Sequence, residues 1–169
     1  MKSEIGVVGL GTMGANLALN LDDHDVSVAA WDISPEAVRG FLSEHPERGF
    51  AGATGLAGLV ESLKRPRRIL LLIPAGKPVE QTIEALEPLL DDGDILLDGG
   101  NSHFADTERR GRRLAERGVR FFGVGVSGGS EGARHGPSIM PGGPREAYEE
   151  VRPILEAIAA RTPAGPCVA

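Results

Sequence analysis

Apolar runs of four to six residues, each followed by an amphipathic stretch of ten to fifteen, recur along this chain of 169 residues. Strands that are apolar through their centres cannot leave one face in water, so such strands belong to a parallel sheet covered by helices on both sides. The pattern predicts strands at 5–8, 26–31, 50–53, 68–73, 94–98 and 120–126. Helices are predicted at 13–21, from Ser34 and Pro35 onward, and at 56–63, 78–90, 105–117 and 145–160. Ser34 supplies an N-cap and Pro35 the first helical position. The fold class is therefore α/β: a doubly wound, Rossmann-type sheet, mostly parallel, forming one domain over residues 1–169.

Composition removes several classes of function. Lys+Arg 18 against Asp+Glu 24 leave a formal charge of −6, the wrong sign for gripping a phosphate backbone, so no nucleic-acid partner is expected. The one basic run, Lys64, Arg65, Arg67 and Arg68, reads as a solvated connection into the 68–73 strand. No apolar run nears the ~20 residues that cross a bilayer, and the opening residues Met1 to Glu4 show no secretory pattern. A cytoplasmic protein without a membrane partner is the expectation. The single cysteine, Cys167, excludes an internal disulfide and a multi-cysteine metal site, and no metal is expected.

Gly9, Leu10, Gly11, Thr12, Met13 and Gly14 lie between the first strand and the first helix. In that setting the first glycine permits a tight turn and the second lets backbone approach a pyrophosphate. The third lets the helix pack close on the strand, so the anion meets free N–H groups at the helix N-terminus. Asp32 ends the second strand 18 residues after Gly14. A carboxylate there accepts hydrogen bonds from the adenosine ribose and repels a 2′-phosphate. Ile33, not an arginine, follows it. The pattern predicts a nicotinamide dinucleotide site that prefers NAD, with NADP less favoured; Arg39, one helical turn on, is placed to weaken that preference. Asp32 also fits a simple cap of the turn before Ser34.

Two further segments follow strands: Pro74 to Pro78, and Asp98 to His103. Ligands in open α/β sheets bind outside the carboxyl ends of the strands, which places both segments beside the glycine turn. Eight glycines then fall within 123–143. Glycine at that density lets backbone N–H groups reach a ligand, and its ordering entropy makes this loop the expected most mobile part.

The segments GLGTMGANLALNL (9–21), AGKPVEQTIEAL (75–86), DILLDGGNSHFADTERR (94–110) and GVGVSGGSEGARHGPSIMPGG (123–143) closely resemble one family. It is the N-terminal coenzyme-binding domain of 6-phosphogluconate dehydrogenase (decarboxylating), within the β-hydroxyacid dehydrogenase superfamily. The last two segments are the specific ones, since 3-hydroxyisobutyrate dehydrogenases share only the glycine turn and a shorter Ser-Gly-Gly element. The resemblance implies that Gly9 to Gly14 hold the pyrophosphate, that Asp32, Ile33 and Ser34 face the adenosine ribose, and that Ile73, Pro74 and Ala75 line the nicotinamide end. It implies that Asn101 touches both cofactor and substrate, and that Ser127, Gly128 and Gly129 bind 6-phosphogluconate. A carboxamide donates and accepts at once, as that position requires. From the residues alone, Asn101 also fits a turn or cap before Phe104, and Ser127 a hydroxyl bonded to its own backbone. NADP-using members usually carry Asn-Arg-Ser or Asn-Arg-Thr where this chain has Asp32, Ile33 and Ser34. Pro74 and Ser130 stand where a lysine and a glutamate are common.

The implied reaction oxidises the C3 hydroxyl of 6-phosphogluconate and decarboxylates the β-keto acid to ribulose 5-phosphate, a step of the pentose phosphate pathway. It needs a base and an acid, which in the resembling enzymes are a lysine and a glutamate beyond the stretch matched here. This chain has lysines only at Lys2, Lys64 and Lys77. Arg134 and Arg145 cannot replace them, because guanidinium keeps its proton. Histidine is a residue type suited to acid–base work, but the family chemistry does not use His103 or His135, and they read as surface residues or neighbours of the site. No catalytic residue is therefore expected within the chain, and the isolated chain should be inactive or nearly so. The 162–169 tail reads as a connection to the family's C-terminal helical domain, which builds most of a homodimer and completes the substrate pocket. The alternatives are a domain of another β-hydroxyacid dehydrogenase and a non-catalytic NAD-sensing module.

Overall fold

Short, mostly apolar strands alternate with helices through the first two-thirds of the computed structural model, which describes residues 2–169. Met1, part of the opening segment read above, lies outside the described residues. β1 (Ile5–Val8) leads into α1 (Thr12–Asp23), β2 (Val28–Trp31) into α2 (Pro35–Glu44), and β3 (Ala51–Gly52) into α3 (Leu56–Glu61). The alternation repeats through β4 (Arg68–Leu71), α4 (Lys77–Leu86), β5 (Ile95–Asp98), α5 (Phe104–Ala115) and β6 (Arg120–Ser127). After β6 come α6 (Gly129–His135), β7 (Ser138–Gly142), α7 (Arg145–Tyr148), α8 (Arg152–Ile158), and a small ladder of β8 (Arg161–Thr162) with β9 (Gly165–Pro166).

The main sheet has the order β3-β2-β1-β4-β5-β6-β7, parallel except for the antiparallel β6–β7 pair. From β1 the chain steps outward to β3 and then returns to lay β4 along the other side of β1, with Val8 opposite Leu71. That reversal opens a crevice at the carboxyl ends of β1 and β4. Strand side chains alternate between faces. Ile69, Leu71, Leu96 and Phe121 pack with Leu59, Val79, Ile83 and Leu114 of α3, α4 and α5. Leu70, Leu97, Phe122 and Val124 pack with Leu17 and Leu21 of α1 and with Ala133, Leu155 and Ile158 of α6 and α8. The Ser34 hydroxyl accepts from Ala37 N–H at 3.3 Å, the cap expected for α2. Among the described residues, no helix is long and apolar enough to cross a membrane.

Four expectations change. The single helix expected over 145–160 is two, because Pro153 lacks the N–H an unbroken helix needs and its ring clashes with the preceding turn. The helix expected over 78–90 tightens into a 3-10 turn at Glu87–Leu89, where Pro88 stands. Residues 123–143 are strand, helix and strand in register rather than one open loop. The basic run is a solvated connection only in part, with Lys64 and Arg65 exposed. Arg67 is buried and reaches Asp91 and Asp94, each at 2.7 Å, while Arg65 pairs with Asp91 and Arg68 with Glu150. The tail is also tied down: Ile139 N–H donates to the Cys167 carbonyl (2.9 Å), and Ala169 N–H to that of Ile139 (3.1 Å).

Candidate functional site

The three glycines of the first turn have three different surroundings. Gly9 takes φ +96°, a backbone conformation that side chains rarely adopt, and donates to the Trp31 carbonyl at 2.8 Å. Gly14 is buried, and a Cβ there would overlap the Gly9 carbonyl oxygen. Gly11 is exposed and extended, with nothing within 4 Å of where a Cβ would stand. No side chain caps α1 at that point, so its first N–H groups lack partners from a cap. Packing explains Gly9 and Gly14. The space in front of Gly11 is what close approach of a diphosphate requires, and the residues present fit such a group.

Asp32 braces this turn. Its Oδ2 accepts from Leu10 N–H at 2.7 Å and its Oδ1 from Ser34 N–H at 2.8 Å. The capping role weighed above is thus real, and each carboxylate oxygen retains a lone pair for a ribose hydroxyl. Ile33 is 87% exposed. Arg39 is paired with Glu36 at 2.6 Å rather than turned back towards Asp32.

Ile73, Pro74 and Ala75 follow β4 directly. The Ile73 side chain and the Leu72 carbonyl lie against Gly9, and Leu72 N–H donates to Val8 at 2.8 Å. Across the crevice, a Cβ at Gly100 would stand 2.5 Å from the Ile73 carbonyl oxygen, so the loops after β4 and β5 touch. Asn101 is exposed at φ +61°, a left-handed conformation that asparagine tolerates, which fits the turn role and leaves its side chain open to solvent. Ser127, Gly128 and Gly129 are exposed at the end of β6, with φ +132° and +62° at the two glycines. β6 runs four residues past Gly123, the last of its residues paired with β5 (opposite Asp98), so Ser127 projects beyond the cluster around Gly9 and Asn101. His103 caps α5 and His135 is exposed, both at the surface.

Nothing in the spacing singled out Asp98 or Arg110, yet both are buried directly beneath these loops. Asp98 accepts from Gly100 N–H (3.0 Å), the Ser102 hydroxyl (2.6 Å) and Arg110 (3.3 Å). Arg110 also donates to Glu80 at 3.0 Å. Burial works against the charged form of Glu80, but hydrogen bonds from Arg110, Arg109 and Arg113 outweigh it and hold its carboxyl below the ordinary value. The signal available was an acid closing an apolar strand, and an arginine one turn before Leu114 on the inward face of α5. A groove of about 880 Å³ also runs beside β6, lined by Asn101, Phe104, Gly123, Gly125 and Gly143 among others. It meets the site at Asn101 and includes none of the Gly9 to Gly14 turn.

Comparison with known proteins agrees over nearly the whole chain. The family model described as the NAD binding domain of 6-phosphogluconate dehydrogenase matches residues 4–168. A decarboxylating 6-phosphogluconate dehydrogenase of Chlamydia pneumoniae is 54% identical over 99% of this chain and 35% of its own length. The NADP(+)-dependent enzyme of Bacillus subtilis is 49% identical over 98% of this chain and 35% of its own. A solved structure of Plasmodium falciparum 6-phosphogluconate dehydrogenase, described in apo form and in complexes with NADP+ and with 6-phosphogluconate, superimposes with a TM-score of 0.93. It is 36% identical, over 98% of this chain and 36% of that one. The chain thus spans about a third of the length of the relatives it matches.

Proposed function

Since the chain belongs to the family of the NAD-binding domain of 6-phosphogluconate dehydrogenase, we propose that it is the cofactor-binding domain of an oxidoreductase. That enzyme oxidatively decarboxylates 6-phosphogluconate to ribulose 5-phosphate in the pentose phosphate pathway, with NAD preferred over NADP. The observation that carries the reading is convergence. Gly9 to Gly14, Asp32 to Ser34, Ile73 to Ala75 and Asn101 all stand at carboxyl ends of parallel strands, around the reversal between β1 and β4.

The N–H groups around Gly11 receive the diphosphate, and Asp32 takes the adenosine ribose while Ser34 closes that end. Ile73, Pro74, Ala75 and Asn101 flank the nicotinamide, and Asn101 shares the substrate with Ser127, Gly128 and Gly129. Hydride acceptance is the chemistry the nicotinamide contributes when bound. Asn101 orients the sugar acid, donating through its amide N–H and accepting through its carbonyl. By the resemblance, the proton transfers belong to the family's lysine and glutamate, which lie beyond the stretch this chain matches, as does most of the family's homodimer interface, and the cytoplasm is the proposed compartment.

Three features support NAD: the Asp32 carboxylate, the absence of an arginine at 33, and the engagement of Arg39 by Glu36. Parallel titrations of NADH and NADPH, followed by the fluorescence of Trp31 beside Asp32, test both parts. NADH is expected to bind tighter by about tenfold or more. Tighter NADPH overturns the preference and leaves the site; no saturable binding of either overturns the site.

A further inference from the structure

We propose that Arg110 and Asp98 form a buried positioning unit that sets affinity for the nicotinamide half of the cofactor while leaving the adenosine half untouched. The inference rests on the dinucleotide site described above. Arg110 is 1% exposed and joins three parts of the chain. Its Nε donates to Glu80 on α4 (3.0 Å), and its Nη2 to the Gly76 carbonyl after β4 (3.2 Å). Its Nη1 donates to Asp98 Oδ2 (3.3 Å) and the Ser102 hydroxyl (3.0 Å) after β5. A buried guanidinium needs a counter-charge, and Glu80 already provides one. The bonds to Gly76 and Ser102 go further, because a rigid planar fork fixes the spacing between two loops.

Asp98 completes the unit from below. Its two oxygens hold Gly100 N–H and Ser102 Oγ, the residues on either side of Asn101. Asn101 is therefore held at φ +61° between two anchors on one carboxylate. Gly100 in turn backs onto the Ile73 carbonyl, so the same clamp reaches the loop of Ile73, Pro74 and Ala75. Pro74, Ala75, Gly76 and Asn101 are exposed and have little packing to hold them. The adenosine end has its own braces, Leu10 to Asp32 and Gly9 to Trp31, and no bond to Arg110.

The asymmetry gives the test. Arg110→Lys keeps the charge, but a single ammonium cannot span Glu80, Gly76, Ser102 and Asp98 together. Ser102→Ala is milder, removing only the hydroxyl between Asp98 and Arg110. The 169-residue chain and both variants are titrated calorimetrically with ADP and with whichever of NADH and NADPH the unaltered chain binds tighter, after denaturant unfolding confirms each is folded. The dinucleotide should weaken about tenfold in Arg110→Lys and about threefold in Ser102→Ala, on the scale of lost charge-assisted and neutral hydrogen bonds, with ADP unchanged within about twofold. If ADP and dinucleotide weaken alike, or neither weakens, the positioning role is wrong although the site stands. If the unaltered chain binds neither ligand, the site itself is wrong and the inference falls with it. Should Arg110→Lys fail to fold, Ser102→Ala decides.

Discussion

A methyl group at Gly14 would strike the Gly9 carbonyl oxygen, whereas one at Gly11 would meet nothing in the chain. The two positions therefore separate folding from binding. Gly14→Ala should cost about 1–3 kcal/mol of stability through overpacking, while Gly11→Ala should stay within about 0.5 kcal/mol of the unaltered chain. Gly11→Ala should nevertheless weaken NADH, because the methyl group occupies the room a diphosphate needs. Denaturant unfolding together with NADH titration checks both, and equal stability losses would show that Gly11 also serves the fold. Residues of this kind were legible, since spacing alone marks Gly9, Gly11, Gly14 and Asp32. Asp98, Arg110 and Arg67 were not. A charge becomes a buried one only through partners far along the chain: Arg110 meets Asp98 12 residues away and Glu80 30 residues away, and Arg67 meets Asp94 27 away.

Between elements, Glu80 joins α4 to α5 through Arg109, Arg110 and Arg113. Its carboxyl titrates below the ordinary 4.5 in the folded chain. The folded state thus binds the proton less readily than the unfolded one, so the contribution is complete above pH ~4.5 and is lost as pH falls through the lower folded-state value. Glu80→Gln should be less stable by about 1–2 kcal/mol at neutral pH. The gap to the unaltered chain should close as the pH drops below ~4.5. Urea unfolding between pH 3 and 7 measures it, and a gap that does not change with pH would remove Glu80 from the linkage. At this scale the apolar runs located every strand of the parallel sheet, because buried strands must be apolar. β7 escaped because it is an edge strand of Ser138, Ile139, Met140, Pro141 and Gly142, where proline is tolerated and only Ile139 is buried among the apolar side chains named in the core. Pro153 was visible, but the apolar spacing of Ile154, Leu155 and Ile158 suggested one unbroken helix.

The molecule as a whole closes one margin of its sheet with its own tail. Backbone bonds from Ile139 to Cys167, Ala169 to Ile139 and Cys167 to Ala160 hold residues 161–169 along β7. Ending the chain at Ala160 should cost about 1–3 kcal/mol, at roughly 1 kcal/mol for each bond. Thermal or urea unfolding of the shortened chain checks this, and an unchanged midpoint would mean the tail does not stabilise the sheet. The site was legible at this scale because parallel strands present their carboxyl ends on one edge, which gathered the loops after β1, β2, β4 and β5. The reach of Ser127 was not, since β7, unforeseen, lengthens β6 beyond the common edge.

The only tryptophan and the only cysteine stand near opposite margins of that sheet, Trp31 on β2 and Cys167 beside β7. Five strand spacings of ~4.8 Å separate β2 from β7, roughly 24 Å. A thiol-attached energy acceptor would therefore pair with one intrinsic donor at a span suited to resonance transfer. The domain carries its own molecular ruler, able to report strain across the sheet without altering a residue.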